Sequence, residues 1–234
     1  MIKPKNDHYR SMIEGDMIGS YRREFVHFAS EYGLKTDEMD VFLSVADYYA
    51  RWMMNGLSAN MPVGKGLFVC GNAGSGKTTL VFKCLYDAIA SKSKDISRSL
   101  VRTTITNLAH EHMENPFWVE HYERKYGHKD FILDEFGKNV GLSRYGNKFD
   151  IEEFIDSRYR SYQEGYTTIL ISNIESWDEI SNLYSDNRDC HKGERIKSRI
   201  CEMCDFLIYK HPDRRKENIT LLNKKFAGFK MKPE

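Results

Sequence analysis

The stretch Gly66-Leu67-Phe68-Val69-Cys70-Gly71-Asn72-Ala73-Gly74-Ser75-Gly76-Lys77-Thr78 decides the fold of this 234-residue chain. Its first five residues form a short apolar run bounded by glycines, which predicts a buried strand. Its last eight residues match the phosphate-loop pattern G-x-x-x-x-G-K-[ST] in full. Helical spacing follows from about Lys77 to Ser91, so the loop lies between a strand and a helix, the context that phosphate binding requires.

The residue types in this loop suit a polyphosphate ligand. Glycines let backbone N–H groups wrap the phosphates, and the N-terminus of the following helix adds a favourable dipole. Lys77 is expected to reach the β- and γ-phosphates, and the Thr78 hydroxyl to bind Mg²⁺. The predicted nucleotide-binding residues are Gly71, Asn72, Ala73, Gly74, Ser75, Gly76, Lys77, Thr78 and Thr79.

Outward from this loop, strand patterns alternate with helical patterns. Such alternation favours an α/β fold with a parallel sheet covered by helices on both faces, and the length fits about five strands. Upstream, residues 5–32 have loose helical spacing, and a second helix is predicted from about Asp37 to Gly56. The strands are predicted at Gly66–Cys70, Leu100–Ile105, Phe131–Leu133, Thr167–Ser172 and Phe206–Tyr209.

Composition excludes several classes of protein. Hydrophobic residues make up 41% of the chain and charged residues 29%, which rules out a collagen, a disordered chain and a small disulfide scaffold. No apolar run approaches the ~20 residues that span a bilayer, and the N-terminus lacks the apolar segment of a secretory signal. Five cysteines in no regular framework favour reduced thiols, so we expect a cytoplasmic protein that does not engage a membrane.

A second motif supplies acids. Lys129-Asp130-Phe131-Ile132-Leu133-Asp134-Glu135 is typical of an apolar strand that ends in two carboxylates. We predict that Asp134 holds Mg²⁺ and that Glu135 is the general base that polarises the attacking water. An acidic pair at this place favours hydrolysis over phosphoryl transfer to a small acceptor.

The same region also contains a GTPase pattern, with D-x-x-G at Asp134–Gly137 and N-K-x-D at Asn147–Asp150. In GTPases the second motif ends a buried strand of its own, which follows an intervening helix. Only nine residues separate Gly137 from Asn147 here, too few for a helix and a strand. Adenine is therefore the predicted base, and ATP the predicted nucleotide.

Polar and basic residues further along the chain complete the predicted site. Asn173 follows an apolar strand, at the sheet edge where ligands of parallel sheets gather, and can orient the attacking water. Arg195 and Arg199 lie one helical turn apart, and an ATPase that works as an assembly needs an arginine for its neighbour's γ-phosphate. A third basic site, Asp213-Arg214-Arg215, follows the last strand.

In this order and spacing, the motifs resemble the AAA+ ATPases, and among them the DnaC/DnaI-type helicase loaders and IstB-type transposition helpers. The resemblance covers roughly residues 38–215. It implies a phosphate-loop core without the C-terminal helical lid of most AAA+ proteins. The matching segments are GNAGSGKT at Gly71–Thr78, FILDEFG at Phe131–Gly137, IDSRY at Ile155–Tyr159, TTILISN at Thr167–Asn173 and ERIKSRI at Glu194–Ile200.

The resemblance also assigns roles to the arginines. Arg199 looks like the finger that acts on a neighbouring subunit of a ring or spiral, with Arg195 as its competitor. Arg215 stands at the place of the family's later sensor arginine, and Arg214 is the alternative because His211 replaces the family's glycine. The other implied roles are phosphate and Mg²⁺ binding by Lys77 and Thr78, Mg²⁺ and water binding by Asp134 and Glu135, and γ-phosphate sensing by Asn173.

Three regions are expected on this basis. They are a helical N-terminal region over residues 1–36, an AAA+ ATPase domain over 37–215 and a basic C-terminal tail over 216–234. In loaders the N-terminal region grips the helicase, so the resemblance implies a replicative DnaB-type helicase as the partner of residues 1–36.

The net charge bears on nucleic-acid binding. With 35 basic and 34 acidic residues the chain has a net charge of +1, so contact with DNA has to come from a local patch. Aromatic and basic residues interleave between Phe117 and Lys129, as single-strand binding requires, and loaders line a DNA channel with an additional helix in this interval. The alternative is an amphipathic helix that packs Phe117, Trp118 and Tyr122 inward. The predicted DNA contacts are Trp118, Tyr122, Arg124, Lys125 and Lys129.

The function predicted from these features is that of an ATPase that loads a replicative helicase onto single-stranded DNA during DNA replication. The host is expected to be a bacterium, with the protein belonging to it or to its phage or mobile element. One alternative is a transposition helper that remodels duplex DNA, and another is an ATP-gated DNA-binding adaptor with negligible turnover. A zinc site at Cys190, Cys201 and Cys204 is disfavoured because one C-x-x-C lacks a second spaced pair.

Overall fold

Five parallel strands form the central sheet. The computed structural model describes residues 5–32, 34, 39–57, 63–92, 98–115, 117–138, 143–144, 147–185, 189 and 191–209. Its strands are β1 (Gly66–Cys70), β2 (Leu100–Thr104), β3 (Asp130–Phe136), β4 (Ser143–Arg144), β5 (Asn147–Lys148), β6 (Thr168–Ser172) and β7 (Cys204–Ile208). The sheet order is β2-β3-β6-β1-β7, and β4 and β5 form a separate antiparallel pair. The predicted α/β class with five parallel strands is confirmed.

Helices cover both faces of the sheet. Successive side chains of a strand point to opposite faces, so each strand contributes to two hydrophobic cores, one on each face. In β1, Leu67 and Val69 pack with the first helices, whereas Phe68 and Cys70 pack with the later ones. A π-helical segment, Thr78–Leu85, leads directly from the phosphate loop into α3. The α-helices are α1 (Lys5–Glu31), α2 (Met39–Leu57), α3 (Tyr86–Lys92), α4 (Ile105–Glu114), α5 (Trp118–Tyr126), α6 (Ile151–Gln163), α7 (Glu179–Tyr184) and α8 (Lys192–Met203).

Local capping explains where two of these helices begin. Thr104, predicted inside a longer strand, accepts a hydrogen bond from the Asn107 backbone N–H at 3.2 Å. It therefore caps α4 and ends β2 one residue before the predicted Ile105. Asp150 caps α6 in the same way, through the Glu152 backbone N–H at 2.8 Å. None of the described helices is long and apolar enough to cross a membrane.

The C-terminal half of α1 is part of the same core as the phosphate loop. Phe25 and Ala29 are fully buried, and the Phe25 ring centroid lies 5.7 Å from that of Phe42 and 5.5 Å from that of Tyr49. The same hydrophobic cluster contains Val81 of the π-helical segment. The end of the predicted N-terminal region is thus packed against the sheet domain.

A network of buried polar side chains lies at the amino ends of β3 and β6, opposite the phosphate loop. Asp130 is fully buried and pairs with the largely buried Arg98. Its carboxylate also accepts hydrogen bonds from the Trp52 indole N–H at 2.8 Å and from the Thr167 backbone N–H at 2.7 Å. These contacts tie α2 to both strands, so Asp130 is a structural acid.

Arg158, at the centre of the segment IDSRY, is also structural. It is fully buried, and its guanidinium donates to the carbonyl oxygens of Tyr126 at 3.1 Å, Lys129 at 2.9 Å and Thr167 at 3.1 Å. Because one side chain satisfies several buried carbonyls, it fixes α6 to the turns that precede β3 and β6.

Candidate nucleotide site

Close backbone packing shapes the phosphate loop. Gly71 has a φ of +134°, and a Cβ at this position would lie 2.3 Å from the carbonyl oxygen of Tyr209. The Tyr209 backbone N–H in turn donates to the Cys70 carbonyl oxygen at 2.7 Å, so the chain after β7 lies against the loop. Gly76 has a φ of +108°, which a residue with a side chain rarely adopts. Both positions therefore need the glycine that the motif supplies.

The ammonium group of Lys77 is held inside this loop. The residue is buried, and its Nζ donates to the carbonyl oxygens of Gly71 at 2.7 Å and Asn72 at 2.8 Å, and to Ser75 Oγ at 3.3 Å. Neutral oxygens offset the burial of a cation only in part. The Lys77 ammonium therefore lies within the loop, where a cation suits a phosphate ligand.

A cavity of about 560 Å³ lies over the loop, a volume within the usual range for ligand sites. It brings together residues from all three predicted motifs: the loop, the acidic strand end and the polar end of the next strand. Of the predicted loop residues, Gly71, Asn72 and Ser75 do not line it. The lining residues are Ala73, Gly74, Gly76, Lys77, Thr78, Thr79, Lys83, Asp134, Glu135, Ile171, Ser172 and Asn173.

The two residues predicted to bind Mg²⁺ lie together. Asp134 is only 7% exposed, and its carboxylate accepts a hydrogen bond from the Glu135 backbone N–H at 2.8 Å. The nearby Thr78 hydroxyl favours the charged form of this carboxylate. Burial raises the pKa of Asp134, because it disfavours the charged form. A carboxylate and a hydroxyl oxygen are hard ligands, which Mg²⁺ takes together with phosphate oxygens and water. Thr78 and Asp134 therefore fit a magnesium–nucleotide complex.

Glu135 has a backbone conformation that is unusual for a residue with a side chain. Its φ is +61°, and it lies at a bulge where β3 gains one residue against β6, between Leu133 and Phe136. Such strain costs ~1–3 kcal/mol and clusters at functional sites. The Glu135 carboxylate lines the cavity and pairs with Lys138 at 2.9 Å. A general base that contacts a nucleotide would need this placement.

Asn173 follows β6 and lines the same cavity. The neighbouring Ser172 secures it, because its Oγ donates to the Phe136 carbonyl oxygen at 2.6 Å and accepts from the Ile174 backbone N–H at 3.2 Å. Sequence reasoning did not single out this link between the ends of β3 and β6. It also missed Lys83, which lies six positions after Lys77 and lines the cavity.

Arg195 and Arg199 lie on α8 and do not line this cavity. Both meet acids of their own chain. Arg195 pairs with Glu152 at 2.8 Å and with Asp189 at 2.6 Å, and Arg199 pairs with Asp156. Glu152 lies within 4.0 Å of both arginines, whereas Asp189 pairs with Arg195 and Asp156 with Arg199.

Some predicted positions lie outside the described residues. They include Arg214, Arg215, Cys190 and the tail over 216–234. Of the other two cysteines in the zinc alternative, Cys201 is exposed and Cys204 is buried. In the part of the chain that the structure describes, no three His, Cys, Asp or Glu side chains are grouped to hold a metal ion.

The predicted aromatic DNA contacts on α5 need a correction. Trp118 is only 5% exposed and Tyr122 is buried, and both pack in the core with Phe131 and Phe154. Their rings have no face left for a base, so stacking by these two residues is wrong. Phe117 is instead 70% exposed. It precedes the first turn of α5, with φ −109° and ψ 50°, so its side chain does not follow the apolar face of the helix.

The basic candidates on α5 and after it differ from one another. Arg124 is exposed, Lys125 is exposed but pairs with Glu111 at 2.6 Å, and Lys129 is half-buried. Phe117 and Arg124 thus remain as an aromatic and a cationic group at the surface.

The sequence matches no protein-family model and no curated protein. Solved structures nevertheless show the fold. The crystal structure of the DnaC helicase loader matches with a TM-score of 0.51 and 21% identity, over 76% of this chain and 92% of that chain. DnaI matches with a TM-score of 0.50 and 18% identity, over 64% of this chain and 73% of that chain. AMPPCP-bound DnaA from Aquifex aeolicus matches with a TM-score of 0.52 and 15% identity, over 85% of this chain and 55% of that chain. The protein therefore has a fold like that of DnaC and DnaI, as the motifs predicted.

Proposed function

We propose that this protein binds and hydrolyses ATP in the cavity over the phosphate loop. The observation that carries the proposal is the convergence of Lys77, Thr78, Asp134, Glu135 and Asn173 on one cavity. The loop holds the polyphosphate, and Lys77 contacts its β- and γ-phosphates. Mg²⁺, when held by Thr78 and Asp134, supplies charge neutralisation at the transferred phosphoryl group.

Glu135 and Asn173 act on the attacking water. Glu135 accepts its proton, and the Asn173 amide orients it toward the γ-phosphate. For this the carboxylate has to leave Lys138, with which it pairs at 2.9 Å. Exposed ion pairs of this kind are worth less than about 1 kcal/mol, so nucleotide binding can displace this one.

The proposal includes assembly into a ring or spiral. Among the described residues no arginine lines the cavity of its own chain, whereas an arginine at the γ-phosphate accelerates hydrolysis by roughly 10³–10⁵ in related chemistry. A second cavity of about 450 Å³ adjoins the first beyond Glu135 and Asn173, and its rim includes the exposed Leu183. A side chain from a neighbouring copy fits in this volume, and we assign that role to its arginine finger on α8.

We also propose that the ATPase serves as a replicative helicase loader on single-stranded DNA. The likeness to the DnaC helicase loader supports this, as does the presence of helix α1 in the N-terminal region. A DnaB-type helicase is the candidate partner of that segment. Contact with DNA falls to the exposed Phe117 and Arg124 rather than to the buried rings of α5.

ATP turnover tests the catalytic part. Wild-type protein should hydrolyse MgATP, and Glu135→Gln should lower kcat by at least about 100-fold while ATP binding is retained. Lys77→Ala should instead lose ATP binding. Unchanged turnover in Glu135→Gln would show that Glu135 is not the base.

An adaptor with negligible turnover is the second candidate, and the pairing of Glu135 with Lys138 favours it. An adaptor would bind ATP tightly, assemble on DNA and release no phosphate. The Glu135→Gln variant of an adaptor would bind ATP and assemble like the wild type. Measurements of ATP binding and phosphate release therefore distinguish an adaptor from an ATPase.

Partner capture tests the loader part. Deleting residues 2–14 keeps Phe25 and Ala29 in the core, whereas deletion up to residue 36 would remove them and disturb the fold. The short deletion should abolish capture of a purified DnaB-type helicase and leave ATP turnover intact. Capture of a transposase, together with filaments on duplex DNA, would favour the IstB-like helper instead.

A further inference from the structure

Three ion pairs, here called the ladder, join α6 and α8, and each candidate finger belongs to one of these pairs. The basic residues follow one another at intervals of three and four along α8, so they share one face of the helix. Their partners are acids at the start and in the first turns of α6. The three rungs are Lys192–Asp150 at 2.7 Å, Arg195–Glu152 at 2.8 Å and Arg199–Asp156.

Arg195 is fully engaged within its own chain. Its Nε donates to Glu152 at 2.8 Å, its Nη1 to Asp189 at 3.3 Å and its Nη2 to Asp189 at 2.6 Å. Two carboxylates thus surround one guanidinium and use all three of its nitrogens. Before it could contact a phosphate, Arg195 would have to give up both acids.

Arg199 is engaged at one nitrogen only. Its Nη1 donates to Asp156 and lies 4.0 Å from the Glu152 carboxylate, and its side chain is 30% exposed. Its Nε and Nη2 make no hydrogen bond to any of the residues that the structure describes. These two nitrogens form one edge of the guanidinium, the geometry that binds two oxygens of a phosphate at once.

The resemblance implies that Arg199 is the finger, and the unengaged edge of its guanidinium supports Arg199 over Arg195. We propose that Asp156 is the positioning residue of this finger. Asp156 holds Nη1 and thereby turns the edge formed by Nε and Nη2 toward the neighbour's γ-phosphate. Asp156 does not line the cavity of its own chain, and it acts only through Arg199. The inference rests on the proposed ATPase function and deepens it.

Mixed assemblies test the positioning role. Arg199→Ala subunits keep their own cavity but offer no finger, whereas Glu135→Gln subunits offer a finger but cannot hydrolyse ATP. An equal mixture should therefore regain turnover, all of it at the Arg199→Ala sites. When the donor also carries Asp156→Asn, the regained kcat should fall by about 10- to 100-fold with KM for ATP unchanged, because a misplaced group loses roughly this much.

Three further donors serve as controls. Glu135→Gln with Tyr159→Phe removes the 2.6 Å hydrogen bond from Tyr159 to Glu202, which joins the same two helices outside the ladder, and should restore turnover fully. Glu135→Gln with Arg195→Ala should also restore it fully. Glu135→Gln with Asp156→Glu keeps a carboxylate and should restore it in part. Equal melting temperatures and sedimentation of all donors exclude a defect in folding or assembly.

The results distinguish the positioning role of Asp156 from the proposed ATPase function. If Asp156→Asn donors restore turnover as well as the simple Glu135→Gln donor, Asp156 does not position the finger, and the ATPase proposal stands. If Arg199→Ala alone turns over like the wild type, Arg199 is not the finger and the inference is wrong. If wild-type protein releases no phosphate, the proposed function fails before any mixture is made, and the inference fails with it.

Discussion

The Asp134 carboxylate accepts a hydrogen bond from the backbone N–H of Glu135 at 2.8 Å. The two adjacent acids nevertheless differ in burial and in backbone conformation. Asp134 is buried beside the Thr78 hydroxyl, and its pKa is raised. Glu135 is partly exposed and has the left-handed φ of +61°. The two side chains are proposed to serve one reaction, yet they should respond differently to substitution.

Asp134→Asn should stabilise the ligand-free protein and remove Mg²⁺-dependent ATP binding. Burial raises the pKa of Asp134 above its unfolded value, so an ionised carboxylate costs folding free energy at neutral pH that a neutral amide does not. This cost is absent below the unfolded pKa of about 3.9 and grows as the pH rises to the folded value. The gain in stability should therefore be larger at pH 7 than near pH 4.

Thermal melting checks both halves of this prediction. Each kcal/mol of added stability should raise Tm by about 2–4 °C in a domain of this size. MgATP should raise the Tm of the wild type but leave that of Asp134→Asn unchanged. A variant that melts below the wild type at pH 7 would contradict the prediction.

Glu135→Gly should be more stable than Glu135→Ala. Both variants lose the carboxylate, but only alanine keeps a Cβ at the φ of +61°, which costs ~1–2 kcal/mol in a left-handed conformation. At ordinary positions glycine is the less stable of the two, so the expected order is reversed here. Urea denaturation of the two variants measures the difference, and both should lack ATP turnover. An alanine variant as stable as the glycine variant would mean that the bulge carries no strain.

Asp130→Ala should destabilise the protein by about 3–5 kcal/mol, because it leaves the largely buried Arg98 without its partner. Arg22→Ala is the matched control. It removes the ion pair with Asp47, whose side chains are both exposed, and should cost less than about 1 kcal/mol. Denaturation midpoints of the two variants give the comparison. Similar losses would show that Asp130 is not the buried anchor described above.

Trp118→Ala and Phe117→Ala should separate the core of α5 from its surface. Truncation of the buried Trp118 should cost about 3–5 kcal/mol of stability. Truncation of the exposed Phe117 should change stability by less than about 0.5 kcal/mol. If α5 contacts single-stranded DNA, Phe117→Ala should also weaken binding by about 1–3 kcal/mol, the value of one stacked base. Fluorescence anisotropy with labelled single strands measures this, and unchanged affinity would remove Phe117 from the interface.

Local patterns predicted the fold well, because the decisive features are local. A strand that runs into a glycine-rich loop and a helix is specified by neighbouring residues, and so are the caps at Thr104 and Asp150. The convergence of Lys77, Asp134 and Asn173 followed from one rule, that parallel strands end at the same edge of a sheet.

Features that depend on tertiary pairing could not be predicted in this way. The choice between Arg195 and Arg199 stayed open because both share a helix face. Their tertiary partners distinguish them: Asp189 pairs with Arg195, and Asp156 pairs with Arg199. The alternative to DNA contact packed Phe117 inward with Trp118, but Phe117 lies one residue before α5 and outside the helical pattern. The left-handed Glu135 arises from a bulge against β6, a strand more than 30 residues further along the chain.

Phe25 of α1 and Val81 behind the phosphate loop belong to one hydrophobic core. Because α1 and the segment after the phosphate loop share this core, we expect them to unfold locally as one unit. ATP should slow amide hydrogen exchange around Phe25, far along the chain from the nucleotide. Consider a partner protein that binds α1 and slows hydrogen exchange there. Because coupling between two binding sites is reciprocal, this partner should raise the affinity for ATP by the same factor by which ATP raises the affinity for the partner.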